Sequence, residues 1–227
     1  MVLSAAISIC GQNQPQTKHN TRPNQGTTAT VPVANNTDPV KYTYEFTQPK
    51  FYVKHIVLEH DANGRGTVTF ERLNEDVSVS EPIALSAAAL ARITSAWQAL
   101  QFLDSTTDYQ SDKQFPHLGT MRIGMERGDR KRVAEFNWTG NDYASTLVNE
   151  YRKAADQAIL IFDISISRQN QPLNAPKLME GMESLLNRNA LSDPHQLLPL
   201  LKELSTDERI PLIARNHALR LIKKIQK

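Results

Sequence analysis

The stretch GTMRIGMERGDRKRVAEFNW, residues 119–138, decides the fold. Two alternating runs flank Gly128-Asp129. Glycine accepts the positive φ that a two-residue hairpin loop demands, and Asp follows it well. With that dipeptide at the tip, Glu126 faces Lys131 and Arg122 faces Glu135. Both are opposite-charge pairs on one face of the ribbon, each contributing roughly 0.2–1 kcal/mol. The other face carries Met121, Ile123 and Met125 opposite Phe136, Ala134 and Arg132. A slip of one residue would exchange the two faces, so turn chemistry and hydrophobic pattern specify one register. The charges read as a solvated sheet face.

An earlier stretch repeats this plan. Folded structure is expected to begin near Tyr42, where YTYEF alternates before Pro49. A strand follows over 51–60, and Asn63-Gly64 in the turn DANGRG is the strongest short hairpin signal. The return strand covers 67–73, placing Ile56 opposite Phe70 and Leu58 opposite Val68, with His55 and Glu71 on the outer face. The turn shares its opening with a calcium loop but lacks a third carboxylate position and the distal Glu, so it reads as a turn. His55 and His60 are separated by an odd number and point to opposite faces. Residues 76–85 add a short strand that Pro82 confines to an edge.

Ser86 caps a helix on which Leu90, Ile93, Trp97 and Leu100 form one buried stripe. Residues 101–118 form a loop pinned by Phe102, Tyr109 and Phe115. Asp104, Asp108 and Asp112 recur there every four residues and read as solvated loop carboxylates. After the central hairpin, Asn141 caps a second helix with Asp142 in its first turn. Tyr143, Leu147, Tyr151, Ala154, Ala158 and Ile161 follow its period, and the helix is expected to end near Ile164.

Hairpin, helix, hairpin, helix is an α+β fold: an antiparallel sheet from two ββα units with two helices on one face, followed by a small C-terminal helical segment. Over about 42–164 this layout resembles a family of small uncharacterised bacterial domains, often found in exported proteins. Tyr109, Gly119-Thr120, Gly128-Asp129 and the helix around Leu147 carry the likeness. The resemblance implies a fold and no activity.

Beyond a break at 169–172, residues 175–188 read as a helix with Leu178, Met182, Leu185 and Leu186 inward. Met179 and Met182 read as core rather than as an adaptable binding surface. Asp193-Pro194 starts a helix kinked at Pro199. Asp207 caps a last helix with Ile210, Ile213, Ala214, Ala218, Leu221 and Ile225 as its stripe. His217 lies beside that stripe as a core histidine. The last two helices resemble a single HEAT-type pair, which by itself cannot build a solenoid. Arg209, Arg215, Arg220, Lys223 and Lys224 make this end basic and are candidate partner-binding residues.

The front of the chain bears on location. Val2–Ile9 is a short apolar run ending at Cys10, the one cysteine among 227 residues. It resembles the end of a bacterial lipoprotein signal, in which the cysteine after the apolar run is lipidated. Ile9 departs from that pattern, standing where such signals usually carry Gly, Ala or Ser. Residues 11–41 are rich in Gln, Asn, Thr and Pro and bury too little surface to order themselves. The chain therefore divides into a signal and lipidation segment (1–10), a disordered polar linker (11–41), an α+β domain (42–168) and a helical segment (174–227).

One cysteine excludes an intrachain disulfide and a cysteine-based zinc site. A net charge of +2 shows no nucleic-acid footprint. Nucleophile elbows, phosphate loops, dinucleotide glycine patterns and His-Glu zinc motifs are missing, and no cofactor, metal or catalytic residue is assigned. The leading expectation is a non-catalytic cell-envelope module, tethered by lipid at Cys10 and contacting a protein partner. Two others stand beside it: a small hydrolase using loop residues His117, Asp108 and Asp112, and a cytoplasmic regulator acting through its C-terminal helices.

Overall fold

A computed structural model describes residues 38–227. Among them lie a six-stranded antiparallel sheet and five α-helices: β1 (Val40–Thr47), β2 (Val53–Asp61), β3 (Arg65–Arg72), β4 (Val79–Ala84), α1 (Ala87–Leu100), β5 (Thr120–Arg127), β6 (Arg130–Phe136), α2 (Asp142–Asn170), α3 (Ala175–Asn187), α4 (Leu198–Thr206) and α5 (Leu212–Ile225). Cys10, and the linker up to residue 37, lie outside the described residues. Val40 and Lys41, given to the linker by composition, already belong to β1.

The sheet order is β4-β3-β2-β1-β5-β6. The two hairpins of the sequence reading are β2–β3 and β5–β6, and β1 joins them by pairing with β2 on one side and β5 on the other. The registers follow the turn chemistry. Met121 faces Phe136, Arg122 faces Glu135 and Glu126 faces Lys131. Ile56 faces Phe70 and Leu58 faces Val68. In the first turn, the Asp61 carboxylate accepts from the backbone N–H groups of Asn63 (2.8 Å) and Arg65 (2.9 Å), and Gly64 adopts φ 74°. These bonds hold the Asp61 carboxyl below its ordinary range. Gly66 is required for another reason: a Cβ there would stand 1.8 Å from the Glu59 carbonyl oxygen on β2.

One sheet face is buried under α1 and α2; the other carries paired charges such as Lys41–Glu59 and Arg122–Glu135. The core gathers Tyr44, Leu58, Val68, Phe70 and Ile123 from the sheet with Ile93, Trp97, Leu147 and Tyr151 from the helices. Arg132 faces inward, as the register demands, yet is not orphaned. Its guanidinium donates to the carbonyls of Phe102 (2.7 Å) and Thr107 (2.6 Å) and lies over the Phe102 ring, tying loop 101–118 to the hairpin.

Helix α2 is 29 residues long, about 43 Å. It continues to Asn170, past the end expected near Ile164, because a second core needs its far half. Leu160 and Ile164 pack there with Met179, Met182, Leu197, Leu201, Ala218 and Leu221 of the C-terminal helices. The two clusters thus share one helix as a wall. Side chains bind the segment further. Arg92 on α1 donates to the Ser192 carbonyl (2.8 Å), Gln196 to the Ala84 carbonyl (3.0 Å), and the Gln157 side-chain oxygen accepts from Asp193 N–H (3.0 Å).

Four local expectations change. Tyr143 is 55% exposed, because Ala144, Leu147 and Val148 set the inward face of the first turns. Pro199 does not kink a helix. A separate 3₁₀ turn over Pro194–Leu197, capped by Asp193, leads into α4, where Pro199 lies in the first turn and its missing N–H has no intrahelical partner to lose. Asp207 does not cap α5, whose N-cap is Pro211; its carboxylate accepts instead from Arg209 and Arg168. Ile213 is 65% exposed, one residue off the stripe that Ala214, His217, Ala218 and Leu221 place against α3 and α4.

Candidate functional site

The sequence offers two candidate groups, the loop residues and the basic residues of the C-terminal end. His117, Asp108 and Asp112 are all exposed on loop 101–118. Among the described residues no hydrogen bond or ion pair joins them; Asp108 accepts from Gln110 N–H two residues on. Trp97, Met179 and Met182 are core. Of the basic set, Arg209 pairs with Asp207 at 2.8 Å and Lys224 with Glu183 at 3.3 Å. Arg215 is half-buried, while Arg220 and Lys223 are exposed on α5. His217 is buried and bonds Glu183 through Nε2 at 2.9 Å.

The feature that sequence reasoning missed lies where β3 ends against α2 and α3. A crevice of about 620 Å³ opens there, lined by Tyr52, Arg72, Asp163, Asn170, Asn174 and Lys177 among others. Its floor is an ion pair between Arg72, the last residue of β3, and Asp163, in the C-terminal third of α2. Arg72 is 9% exposed. Three aromatic rings surround its guanidinium carbon: Phe70 at 5.0 Å, Tyr52 at 5.5 Å and Phe162 at 5.8 Å. Such stacking suits a planar, weakly hydrated cation. Arg72 Nε is buried without a partner among the described residues.

Burial raises the Asp163 carboxyl above its ordinary value, and the neighbouring Arg72 opposes that rise. The rim is different in kind. Tyr52 is 63% exposed and Ile166 42%, set among the amides of Asn170, Gln171 and Asn174.

One signal in the sequence pointed here. Asp163 is the single charge within AILIFDISIS, residues 158–167. A carboxylate on a buried helical run needs a cation, and Arg72 supplies it from 91 residues away.

Two other depressions are smaller. One of about 270 Å³ lies between edge strand β4 and α2. Another, of about 200 Å³, is lined by Phe51, Leu118, Trp138 and Arg152. Among the described residues, no group of three or more His, Cys, Asp or Glu side chains is arranged to hold a metal ion. No helix among them is long and apolar enough to cross a membrane. No protein-family model matches the chain, and no curated protein is similar to it.

Proposed function

We propose that this protein is a non-catalytic binding module of the cell envelope, tethered by lipid at Cys10, that engages a protein partner through the crevice between β3, α2 and α3. The observation that carries the binding role is the rim: Tyr52 and Ile166 stand exposed at an amide-lined hollow above the Arg72–Asp163 pair. A partner segment laid across it would bury both apolar groups and use the amides as donors and acceptors.

The tether is supported by the order of the chain. An apolar run ends at Cys10, a polar stretch follows, and β1 opens at Val40. The likeness to exported bacterial domains favours the same compartment.

The test is in-cell photocrosslinking with a photoreactive amino acid at position 166, which lines the crevice, compared with one at solvent-facing position 69 on β3. Position 166 is expected to give one discrete adduct that Tyr52→Ala abolishes. Identical adduct patterns from both positions would refute the crevice as the binding site.

A further inference from the structure

Helix α5 has an outward face of unusual composition. Residues 209–227 hold Arg209, Arg215, Arg220, Lys223, Lys224 and Lys227, and no Asp or Glu. Burial of Ala214, His217, Ala218, Leu221 and Ile225 fixes which side of the helix points away from the body. At 3.6 residues per turn, the line directly opposite is Leu212, Asn216, Leu219 and Lys223. Leu212 is 61% exposed and Leu219 45%; Ile213, beside them, is 65% exposed. Arg220 lies on one flank of that line and Arg215 on the other.

Two of these six cations are paired within the chain. Asp207 holds Arg209, and Glu183 holds Lys224. Among the described residues Arg215, Arg220, Lys223 and Lys227 form no ion pair. Lys223 and Lys224 also sit in the last turn, where cations complement the helix dipole, but that accounts for neither the flanking arginines, nor the exposed Leu212 and Leu219 between them, nor the exposed Ile213 beside Arg220.

We infer that the outer face of α5 lies on an anionic lipid surface, with Leu212, Ile213 and Leu219 entering the headgroup boundary and Arg215, Arg220 and Lys223 meeting lipid phosphates. A helix that binds in the interface plane needs an apolar line flanked by cations on a polar face. The free positive charge selects an anionic occupant, and a flat surface suits a convex helix whose apolar and basic groups alternate along one line.

The test uses the full chain with Cys10→Ser, so that no lipid can be attached and the result is independent of the proposed tether. Co-flotation is measured with vesicles of phosphatidylglycerol and phosphatidylethanolamine, and with phosphatidylcholine vesicles, at low and high salt. Partitioning to the anionic vesicles is expected to exceed that to phosphatidylcholine by at least about tenfold, and to weaken with salt. Arg220→Glu with Lys223→Glu should reduce it about tenfold or more, and Leu212→Ser with Leu219→Ser should reduce it as well. All four residues are exposed, and far-ultraviolet circular dichroism verifies that the variants fold. Equal partitioning to both vesicle types, or no partitioning, would overturn the inference. So would binding that the leucine substitutions leave unchanged and that polyglutamate competes away, since that pattern marks an acidic polypeptide as the occupant.

Discussion

The hydroxyl of Tyr151 on α2 stands 2.8 Å from Nε2 of His60 on β2, in the closed centre of the protein. The geometry assigns every proton. His60 Nδ1 lies 2.7 Å from the Asp61 carbonyl, which can only accept, so Nδ1 carries the hydrogen. Nε2 of the neutral ring then accepts from Tyr151, whose oxygen accepts in turn from Trp97 Nε1–H at 2.9 Å. Three elements, β2, α2 and α1, are joined by one chain in which each donor has an acceptor. Tyr151→Phe removes the middle link and strands both the indole N–H and the imidazole nitrogen. The expected loss is roughly 2–4 kcal/mol of unfolding free energy in urea titration, since each unsatisfied buried group costs about 1–3 kcal/mol. A loss below about 0.5 kcal/mol would show that water already satisfies these groups.

The same chain makes stability depend on pH. Burial holds the His60 imidazole below its ordinary value. The unfolded chain takes up this proton near pH ~6.5, whereas the folded one resists to lower pH. The contribution is therefore fully present above about pH 6.5 and is lost as pH falls toward the folded value. The difference in unfolding free energy between the wild type and His60→Phe should shrink on acidification from pH 7.5 to 5. A difference independent of pH over that range would contradict the neutral, buried ring.

Arg72 and Asp163 should behave as a unit. Asp163→Ala leaves a guanidinium buried among Phe70, Tyr52 and Phe162 and should lower stability by about 3–5 kcal/mol. Replacing both, as Arg72→Met with Asp163→Leu, should recover most of that loss, because an apolar pair of similar volume avoids the desolvation of two charges. A double-mutant cycle in guanidinium chloride measures the coupling; additive single losses would mean that the pair contributes nothing as a pair.

Asp207 closes the turn before α5. Hydrogen bonds from the Arg209 guanidinium, its backbone N–H and the Arg168 guanidinium hold the carboxyl well below the usual carboxylate range. A depressed folded value means that its contribution is present above the unfolded value near pH ~3.9 and is lost as pH falls through the folded one. Asp207→Asn should cost about 1–2 kcal/mol at pH 7 and flatten the acid limb of the stability curve below pH ~4, measured by thermal unfolding across pH.

What the sequence revealed, and what it concealed, follows the range of each interaction. The registers of β2–β3 and β5–β6 were readable because Asn63-Gly64 and Gly128-Asp129 act on their immediate neighbours and alternation carries the signal outward. The helix starts at Ser86 and Asn141 were readable for the same reason. The place of β1 between β2 and β5 was not, since pairing with β5 joins residues about eighty positions apart, and nothing local in YTYEF distinguishes a central strand from an edge. The crevice required Arg72 and Asp163 to be brought together from distant segments. The end of α2 was misread because the β-branched residues of AILIFDISIS obscure a helix that tertiary packing against α3–α5 maintains. Ile213 and Tyr143 were each assigned inward on spacing alone, and a shift of one position on a helix turns a side chain by about 100°.

The proposed lipid tether at Cys10 is tested by the intact mass of the protein isolated from its native cells, with and without detergent extraction. The prediction is a membrane-fraction species that begins at Cys10 and carries a diacylglyceryl modification. A protein in the aqueous fraction that retains residues 1–9 and an unmodified Cys10 would contradict it.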